Sequence, residues 1–348
     1  MKIEKTLFGK IENNQAIYSY KLINSEIEVE ILNYGGIIKS IVVPDRNGIK
    51  ENIVLSYDDI KSYQKDITYF GCITGRVAGR IKKGLLKINN KSYQLELNNS
   101  KNHLHGGFNA LNNKIWKVIS EEIGRDFLKL TLNYKSPHLE NNFPANVDFT
   151  VTYTLKNSSL EINYFGLPDQ DTYLNLTNHT YFNLSGNAKK DISKEKITIF
   201  ADEFINVDND IIPTKITNVD NSIFDLRRGQ IYEDIFKTSN EQVSIVGKGI
   251  DHGFILNKKF TLNCICEDFE SGRLLEIVTD QPVVVLYTGN YLEKTDLLCN
   301  KISPLKYHGF CLETQDYPDI QNLISEKMKI YNLENPYTQK TSYTFKTF

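Results

Sequence analysis

Two ionisable residues in the sequence stand in segments that are otherwise mostly apolar. His179 lies in residues 175–184, NLTNHTYFNL, and Glu313 lies in residues 310–315, FCLETQ. Histidine titrates close to neutral pH and can donate or accept a proton, and a carboxylate can act as a general base. Together they could move protons on one substrate. Each residue alone is also explained by a structural role, as a hydrogen-bonded core histidine or as a buried glutamate paired with an arginine.

Two further histidines, His103 and His105, have the spacing that places both side chains on one face of a strand. Metal sites are often built in this way. A cupin-like metal site, however, would need a nearby carboxylate, and residues 106–110, GGFNA, contain none. We therefore predict no metal here, and a structural histidine in a turn remains the alternative for each residue.

Charged residues also occur in two further segments. Arg76 and Arg80 lie in residues 74–81, TGRVAGRI, and Asp251 follows a glycine and an isoleucine. Either arginine could be an ordinary strand residue, and Asp251 could belong to a turn. The sequence contains no nucleophile elbow, phosphate loop, dinucleotide-binding glycine motif or C-x-x-C pair. We therefore expect chemistry that needs no cofactor.

Short strands are the elements that must position these residues. Apolar residues alternate with polar ones at Ile27, Val29 and Ile31, which is typical of a half-buried strand. The segments 149–155 and 160–165 flank a turn-forming stretch and predict a hairpin. Further strands are predicted at 93–97, 128–132, 196–200, 260–266, 274–279 and 283–287, and short helices at 58–64 and 318–328. Many strands, few helices and no long polar linker indicate one large antiparallel β architecture, a single domain over residues 1–348.

The composition is that of an ordinary globular protein. Of its 348 residues 40% are hydrophobic and 24% charged, and the net charge of -2 includes no long run of either sign, which argues against nucleic acid as a partner. Residues 1–20 lack the apolar core of a signal peptide, and no apolar run approaches the roughly 20 residues that span a bilayer. Five scattered cysteines favour a reducing compartment. We expect a cytoplasmic monomer or homodimer without a membrane partner.

Taken together, the polar segments resemble the signature blocks of the galactose mutarotase (aldose 1-epimerase) family. The blocks are in the family's order, and the resemblance runs from about residue 6 to residue 343. They are 75–81, 102–107, 175–184, 249–252, 281–290 and 312–315. The resemblance implies an all-β fold, the large antiparallel galactose mutarotase-like supersandwich with few short helices, and a sugar bound in an open cleft.

The resemblance also implies a role for each site residue. His179 would be the general acid, Glu313 the general base, and His105 would hold and polarise the anomeric end of the sugar. The residues that would bind hydroxyl groups or line the cleft are Arg80, Asp251, Gln281 and Tyr287. The chain departs from the family at Gly79, where an asparagine is usual, and this departure leaves the preferred sugar open.

The implied function is that of an aldose 1-epimerase, which interconverts the α and β anomers of a free aldohexose, galactose and/or glucose, without a cofactor. Two alternatives stay open at this point. One is a glycoside hydrolase on a related sandwich, with Asp251 and Glu313 as the two carboxylates that such enzymes need. The other is a sugar-binding protein without catalysis. A hexose 6-phosphate epimerase would use the same chemistry, but it would need a basic cluster that the sequence does not show.

Overall fold

A computed structural model describes residues 1–292 and 296–348 of the chain, and nearly all of its strand pairing is antiparallel. The strands, numbered β1 to β26 in chain order, are Lys2–Lys10, Ala16–Ile23, Glu28–Leu32, Ile38–Pro44, Lys50–Asn52, Ile73–Thr74, Arg80–Ile81, Leu85–Ile88, Lys91–Gln94, His103–Leu104, Lys117–Ile123, Leu128–Ser136, Val147–Lys156, Ser159–Pro168, Thr177–Asn178, Tyr181–Phe182, Lys196–Ile199, Ala201–Val207, Pro213–Asn218, Gln230–Ile231, Asp251–Leu256, Cys264–Glu267, Arg273–Thr279, Val283–Tyr287, Phe310–Gln315 and Tyr337–Thr347. The α-helices found in these ranges, α1 to α4, are Ile60–Lys65, Tyr232–Lys237, Glu241–Ile245 and Ile320–Leu323. Short 3₁₀ turns occur at Glu12–Asn14, Lys82–Gly84, Leu111–Asn113, Glu140–Asn142, Ile192–Lys194 and Ser325–Lys327.

Three sheets contain most of the strands. β1 to β5 pair in sequence order, a nine-stranded sheet has the order β11-β12-β13-β14-β26-β23-β22-β17-β20, and a six-stranded sheet has the order β16-β25-β24-β21-β18-β19. The two larger sheets pack against each other. Thr314 Oγ1 of β25 lies 2.6 Å from Thr341 Oγ1 of β26, and the ring centroids of Phe182 and Tyr343 are 5.6 Å apart. The expected large antiparallel β-sandwich with few short helices is confirmed.

Burial of alternate side chains explains why the predicted segments form strands. Ile27, Val29 and Ile31 are each no more than 1% exposed and belong to the main hydrophobic core. β13 and β14 form the predicted hairpin, paired from Lys156 and Ser159 at the turn. Asn157 in that turn has a φ of 50°, a left-handed conformation that asparagine tolerates better than most residues.

Two strands are shorter than the sequence pattern predicts. β9 ends at Gln94 because Gly84, the residue opposite Leu95, belongs to the 3₁₀ turn Lys82–Gly84, although its carbonyl oxygen still accepts from the N–H of Leu95. β22 begins only at Cys264 because Phe260 lies in a turn, where its N–H donates to the carbonyl oxygen of Asn257. In both cases the regular strand stops where one of the residues that would extend the pairing lies in a turn.

The helices are short. Asp59 caps α1 by accepting a hydrogen bond from the N–H of Ser62 at 3.0 Å. The helix predicted at 318–328 is instead one α turn followed by a 3₁₀ turn, because Ile324 between them has the non-helical φ of -157°. α2 and α3 were not predicted, since five or six residues are too few to show helical periodicity. Within 1–292 and 296–348, no helix has the length and apolar character needed to cross a membrane.

Small two-stranded sheets connect the polar segments to one another. β7 pairs with β10, which joins residues 74–81 to residues 102–107. β6 pairs with β15, which joins residues 74–81 to residues 175–184. β16 then pairs with β25 and links the last of these segments to the strand that contains Glu313. The topology therefore brings distant parts of the sequence to one end of the six-stranded sheet.

Candidate active site

The six-stranded sheet provides the floor of a pocket. Because side chains alternate along a strand, and Thr314 faces the nine-stranded sheet, Glu313 and Gln315 face the other side, where both line the pocket. The register places Val285 of β24 beside Glu313, and Gly253 of β21 beside Val285. The floor next to the carboxyl group therefore consists of apolar or small residues.

The pocket has a volume of about 290 Å³. It is lined by six of the residues for which the sequence predicts a site role, namely Arg80, His105, His179, Asp251, Tyr287 and Glu313. Most of the other lining residues are aromatic or aliphatic, and the polar ones among them are Thr68, Asn99 and Gln315. A concave site with a few converging polar groups among apolar walls is typical of small-molecule binding.

Backbone hydrogen bonds hold His179 between β15 and β16. Its N–H donates to the carbonyl oxygen of Cys72 at 2.9 Å, and its own carbonyl oxygen accepts from the N–H of Gly71 at 3.1 Å. Nε2 of His179 lies 3.4 Å from Oε1 of Glu313, and Nδ1 lies 3.5 Å from Sγ of Cys311. The ring is therefore fixed with one nitrogen facing the carboxyl group.

His105 reaches the pocket because its strand ends just before it. β10 ends at Leu104, and His105 has the left-handed φ of 49°. The expectation that His103 and His105 share one face of a strand is therefore wrong. His103 is buried with its ring against that of Phe143, whereas the ring of His105 lies 5.2 Å from the ring of His179.

Two glycines make this turn possible. Gly106 and Gly107 both have positive φ, and a Cβ on Gly106 would come within 1.8 Å of the carbonyl oxygen of Gly75. The turn places His105 against Gly79. The N–H of His105 donates to the carbonyl oxygen of Gly79 at 3.0 Å, and the N–H of Gly79 donates to Nδ1 of His105 at 3.2 Å. These contacts orient the imidazole.

The two arginines of residues 74–81 have different roles. Arg76 is buried, and its guanidinium donates to several oxygens of residues 136–145, which makes it a structural residue. Arg80 lines the pocket, where Nη1 lies 3.9 Å from Oδ2 of Asp251 and Nε donates to Oδ1 of Asn99 at 3.2 Å. Arg80 and Asp251 thus form a charged pair in the pocket wall.

Burial controls the protonation of the central groups. It raises the pKa of Glu313 well above its ordinary value, an effect that the charge of Asp251 reinforces and that of Arg80 opposes. Burial also lowers the pKa of His179 to about 4 and that of His105 well below its ordinary range. Both directions favour the uncharged form of each group, because the site is largely removed from water.

The same three groups could also bind a metal ion. The ligand atoms of His105, His179 and Glu313 lie within 4.8 Å of one another, and two histidines with one carboxylate form a common ligand set for transition metals. The hydrogen bond from Gly79 already occupies Nδ1 of His105. The absence of a metal therefore stays a prediction.

Tyr287 and Gln281, the last two residues predicted to line the cleft, differ in their positions relative to the pocket. Tyr287 lines the pocket, with its ring 6.4 Å from that of His179 and its hydroxyl oxygen accepting from the N–H of Tyr291. Gln281 does not line the pocket, and its amide donates to Asp280 at 2.7 Å. The reason is distance, because six residues of extended chain span roughly 20 Å. The expectation that Gln281 lines the cleft is wrong.

Tyr69, Tyr181 and Gln315 are among the lining residues to which the sequence prediction gives no role. The ring of Tyr69 lies 4.8 Å from that of His105, and the ring of Tyr181 lies 5.1 Å from that of His179. Tyr181 and Gln315 each stand two residues after a predicted catalytic group, so strand alternation could have found both. Tyr69 lies in a turn and has no such signal.

Known proteins resemble this chain over nearly its whole length. The family model described as aldose 1-epimerase matches residues 18–344. The galactose mutarotases of Rattus norvegicus and Homo sapiens are 36% and 35% identical to it, each over 92% of both chains. The aldose 1-epimerase of Haemophilus influenzae is 35% identical over 87% of this chain and 88% of its own. The crystal structure of a galactose 1-epimerase from Lactobacillus acidophilus superposes with a TM-score of 0.88 at 25% identity, covering 100% of this chain and 99% of that one. The chain belongs to the aldose 1-epimerase family.

Proposed function

We propose that this protein interconverts the α and β anomers of a free aldohexose, galactose and/or glucose, with His179 as general acid and Glu313 as general base. Family membership makes the chain an aldose 1-epimerase, which is an isomerase. The observation that supports the assignment of roles is the 3.4 Å distance between Nε2 of His179 and Oε1 of Glu313 inside the pocket.

The reaction needs two proton transfers that are later reversed. His179 donates a proton to the ring oxygen while Glu313 accepts the proton of the hydroxyl group on C1. The bond between C1 and the ring oxygen breaks, and an open aldehyde forms. Rotation about the C1–C2 bond exposes the other face of the carbonyl. The ring then closes as Glu313 returns its proton to the oxygen on C1 and His179 recovers its own from the hydroxyl that attacks.

The cycle requires one proton that the two groups share. The pair contains one proton before ring opening, when it lies on His179, and one proton afterwards, when it lies on Glu313. In the free protein the raised pKa of Glu313 and the lowered pKa of His179 favour the second of these two forms, so in this proposal the bound sugar must move the proton to His179 before the ring opens. Each positioned proton transfer contributes roughly 10²–10⁴-fold to the rate.

The other polar groups bind the sugar in this proposal. His105 donates a hydrogen bond to the anomeric end, and Arg80 with Asp251 contacts ring hydroxyl groups. Gly79 contributes no side chain to the pocket, so the assay described below is needed to decide between galactose and glucose. The chemistry proceeds without a cofactor, because nothing is reduced, phosphorylated or coordinated in it.

The proposal also includes the setting of the protein. The free thiols of the five cysteines fit a reducing compartment such as the cytoplasm. The balanced charge fits a protein that does not bind nucleic acid. We also propose that the protein is a monomer or a homodimer.

Polarimetry tests the activity directly. α-Galactose and α-glucose are dissolved immediately before use, and the decay of optical rotation is followed with and without the protein. We expect the protein to accelerate the decay in proportion to its concentration. A decay equal to that in buffer would exclude the activity, and sugar binding seen by calorimetry would then indicate a binding protein. Release from a chromogenic galactoside or glucoside would indicate a hydrolase instead.

A further inference from the structure

We propose that the side-chain amide of Gln315 binds one ring hydroxyl group of the sugar and helps to determine which aldose the pocket accepts. The inference rests on the proposed function, because it assigns a group of the same pocket to the substrate. It concerns binding rather than proton transfer, so it can be tested separately.

The first observation is an unsatisfied amide. Gln315 is 0% exposed, and neither its oxygen nor its nitrogen has a hydrogen-bond partner among the residues that the structure describes. A buried amide without partners is destabilising. Since the side chain lines the pocket, a bound ligand can supply the missing partners.

The second observation is the position of Gln315. It stands two residues after Glu313 on β25 and faces the same side of the sheet. The backbone there is fixed, because Gln315 pairs with Val283 of β24 and the amide of Gln339 donates to the carbonyl oxygen of Thr314 at 2.8 Å. A sugar whose anomeric carbon lies at Glu313 is therefore within reach of the amide.

The third observation is the position of Gly79 beside the amide. Gly79 has a φ of 73°, and a Cβ there would lie 3.7 Å from Nε2 of Gln315 and 3.4 Å from Cβ of Pro318. A side chain at position 79 would thus cover the amide. Because Gly79 has none, no side chain from position 79 competes with a ligand for the amide of Gln315.

The residues of the neighbouring floor indicate which group of the ligand the amide binds. Beside Glu313 the floor continues through Val285, Gly253 and Ile205, which offer no polar side-chain atoms. An amide has both donors and an acceptor, and a hydroxyl group can satisfy both. Gln315 therefore fits a secondary hydroxyl group of the sugar ring.

The first test compares Gln315→Met with Gln281→Met. The second glutamine lies outside the pocket and is bonded to Asp280, so it serves as the matched control. We expect Gln315→Met to raise KM for the accepted sugar roughly tenfold while kcat changes less than about threefold. The control variant should leave both unchanged. An unchanged KM in Gln315→Met would overturn the proposal.

Thermal unfolding separates binding from a structural role. If the amide is unsatisfied in the free protein, replacing it with an apolar side chain should leave Tm unchanged or raise it. The rise in Tm that the sugar produces in the parent protein should become smaller in the variant. A lowered Tm with an undiminished response to the sugar would show that Gln315 is structural. Gln315→Leu is a second apolar variant for the same measurements, should the methionine variant fold poorly.

Deoxy sugars identify the hydroxyl group. The 2-, 3-, 4- and 6-deoxy derivatives of the accepted sugar are compared in the parent and in Gln315→Met. For the derivative that lacks the bound hydroxyl group, we expect the same KM in the parent and in Gln315→Met. For each of the other derivatives, the substitution should raise KM roughly tenfold. An equal loss for all derivatives would contradict the proposal. If the parent protein does not catalyse mutarotation, the proposed function fails. The role of Gln315 can still be tested by measuring the affinity for the same derivatives in calorimetric titrations.

Discussion

The backbone N–H of Gly79 donates a hydrogen bond to Nδ1 of His105, with a distance of 3.2 Å between the nitrogens. A neutral imidazole that accepts at Nδ1 must have its proton on Nε2. Burial, reinforced by the charges of His179 and Arg80, keeps the pKa of His105 well below its ordinary range, so the ring is neutral at physiological pH. His105 is therefore a fixed donor and is not suited to accept a proton.

This arrangement predicts a difference between two substitutions of His105. Glutamine can place a neutral N–H donor in the pocket, whereas alanine cannot. We expect His105→Ala to lower kcat by roughly 10²–10³-fold, as removal of a preorganised donor does elsewhere. His105→Gln should be at least about tenfold faster than the alanine variant in the polarimetric assay. Equal rates for the two variants would argue for a proton-transfer role instead.

Removal of either partner of the acid/base pair should abolish most of the activity. We expect Glu313→Gln and His179→Asn each to lower kcat by roughly 10²–10⁴-fold, because one proton transfer loses its catalyst. Circular dichroism and Tm should show that both variants fold. Retention of more than about a tenth of the parent rate in Glu313→Gln would remove Glu313 as the base. A parent-like rate in His179→Asn would move the acid to His105.

The shared proton predicts a bell-shaped pH profile of kcat/KM. The active pair contains one proton. As pH falls below about 4, the lowered pKa of His179, the pair gains a second proton and the rate falls. As pH rises through the raised pKa of Glu313, the pair loses its last proton and the rate falls again. A kcat/KM that falls at neither end of the profile would count against this pair.

The raised pKa of Glu313 also predicts how stability depends on pH. Below the ordinary pKa of 4.5 the carboxyl group is protonated in both the folded and the unfolded protein. As pH rises above 4.5 the unfolded chain ionises first, which favours unfolding until the folded pKa is also passed. Glutamine does not ionise. The Tm of Glu313→Gln relative to the parent should therefore increase with pH from 4.5 upward, and a constant difference would contradict the raised pKa.

Much of the site follows from the sequence because it consists of blocks that stay together in the fold. His105, His179, Glu313, Arg80, Asp251 and Tyr287 all line one pocket, as predicted. Strand alternation gives the face of a residue but not its partner strand. The register that places Val285 between Gly253 and Glu313 joins strands that are distant in sequence, and for this reason the apolar floor could not be predicted.

The two glutamines illustrate the same limit. Gln281 belongs to a block that resembles the family, but its position before β24 lies at the far end of the strand from Tyr287. Gln315 received no role, although it shares a face with Glu313. The sequence pattern identified both segments. Which of the two glutamines reaches the pocket depends on where each strand ends and on which strand it pairs with.

We further propose that residues 1–348 fold as one unit, and unfolding can test this. Trp116, the single tryptophan, is buried in the main core. Its fluorescence and far-UV circular dichroism should report the same denaturant midpoint. Phe182→Ala, at the contact between the two larger sheets, should cost about 3–5 kcal/mol and shift both signals together. Separate midpoints would indicate more than one domain.

The position of β26 has a consequence for synthesis of the protein. β26 completes the nine-stranded sheet by pairing with β14 on one side and β23 on the other, so that Ser159 contacts Thr344 across 185 residues of chain. A polypeptide leaves the ribosome N-terminus first. The edge of β14 thus stays unpaired until residues 337–347 have been made, and an unpaired edge is a template for strands of other chains. A host with abundant chaperones should therefore yield more folded enzyme, and slow translation of residues 169–336 should increase aggregation.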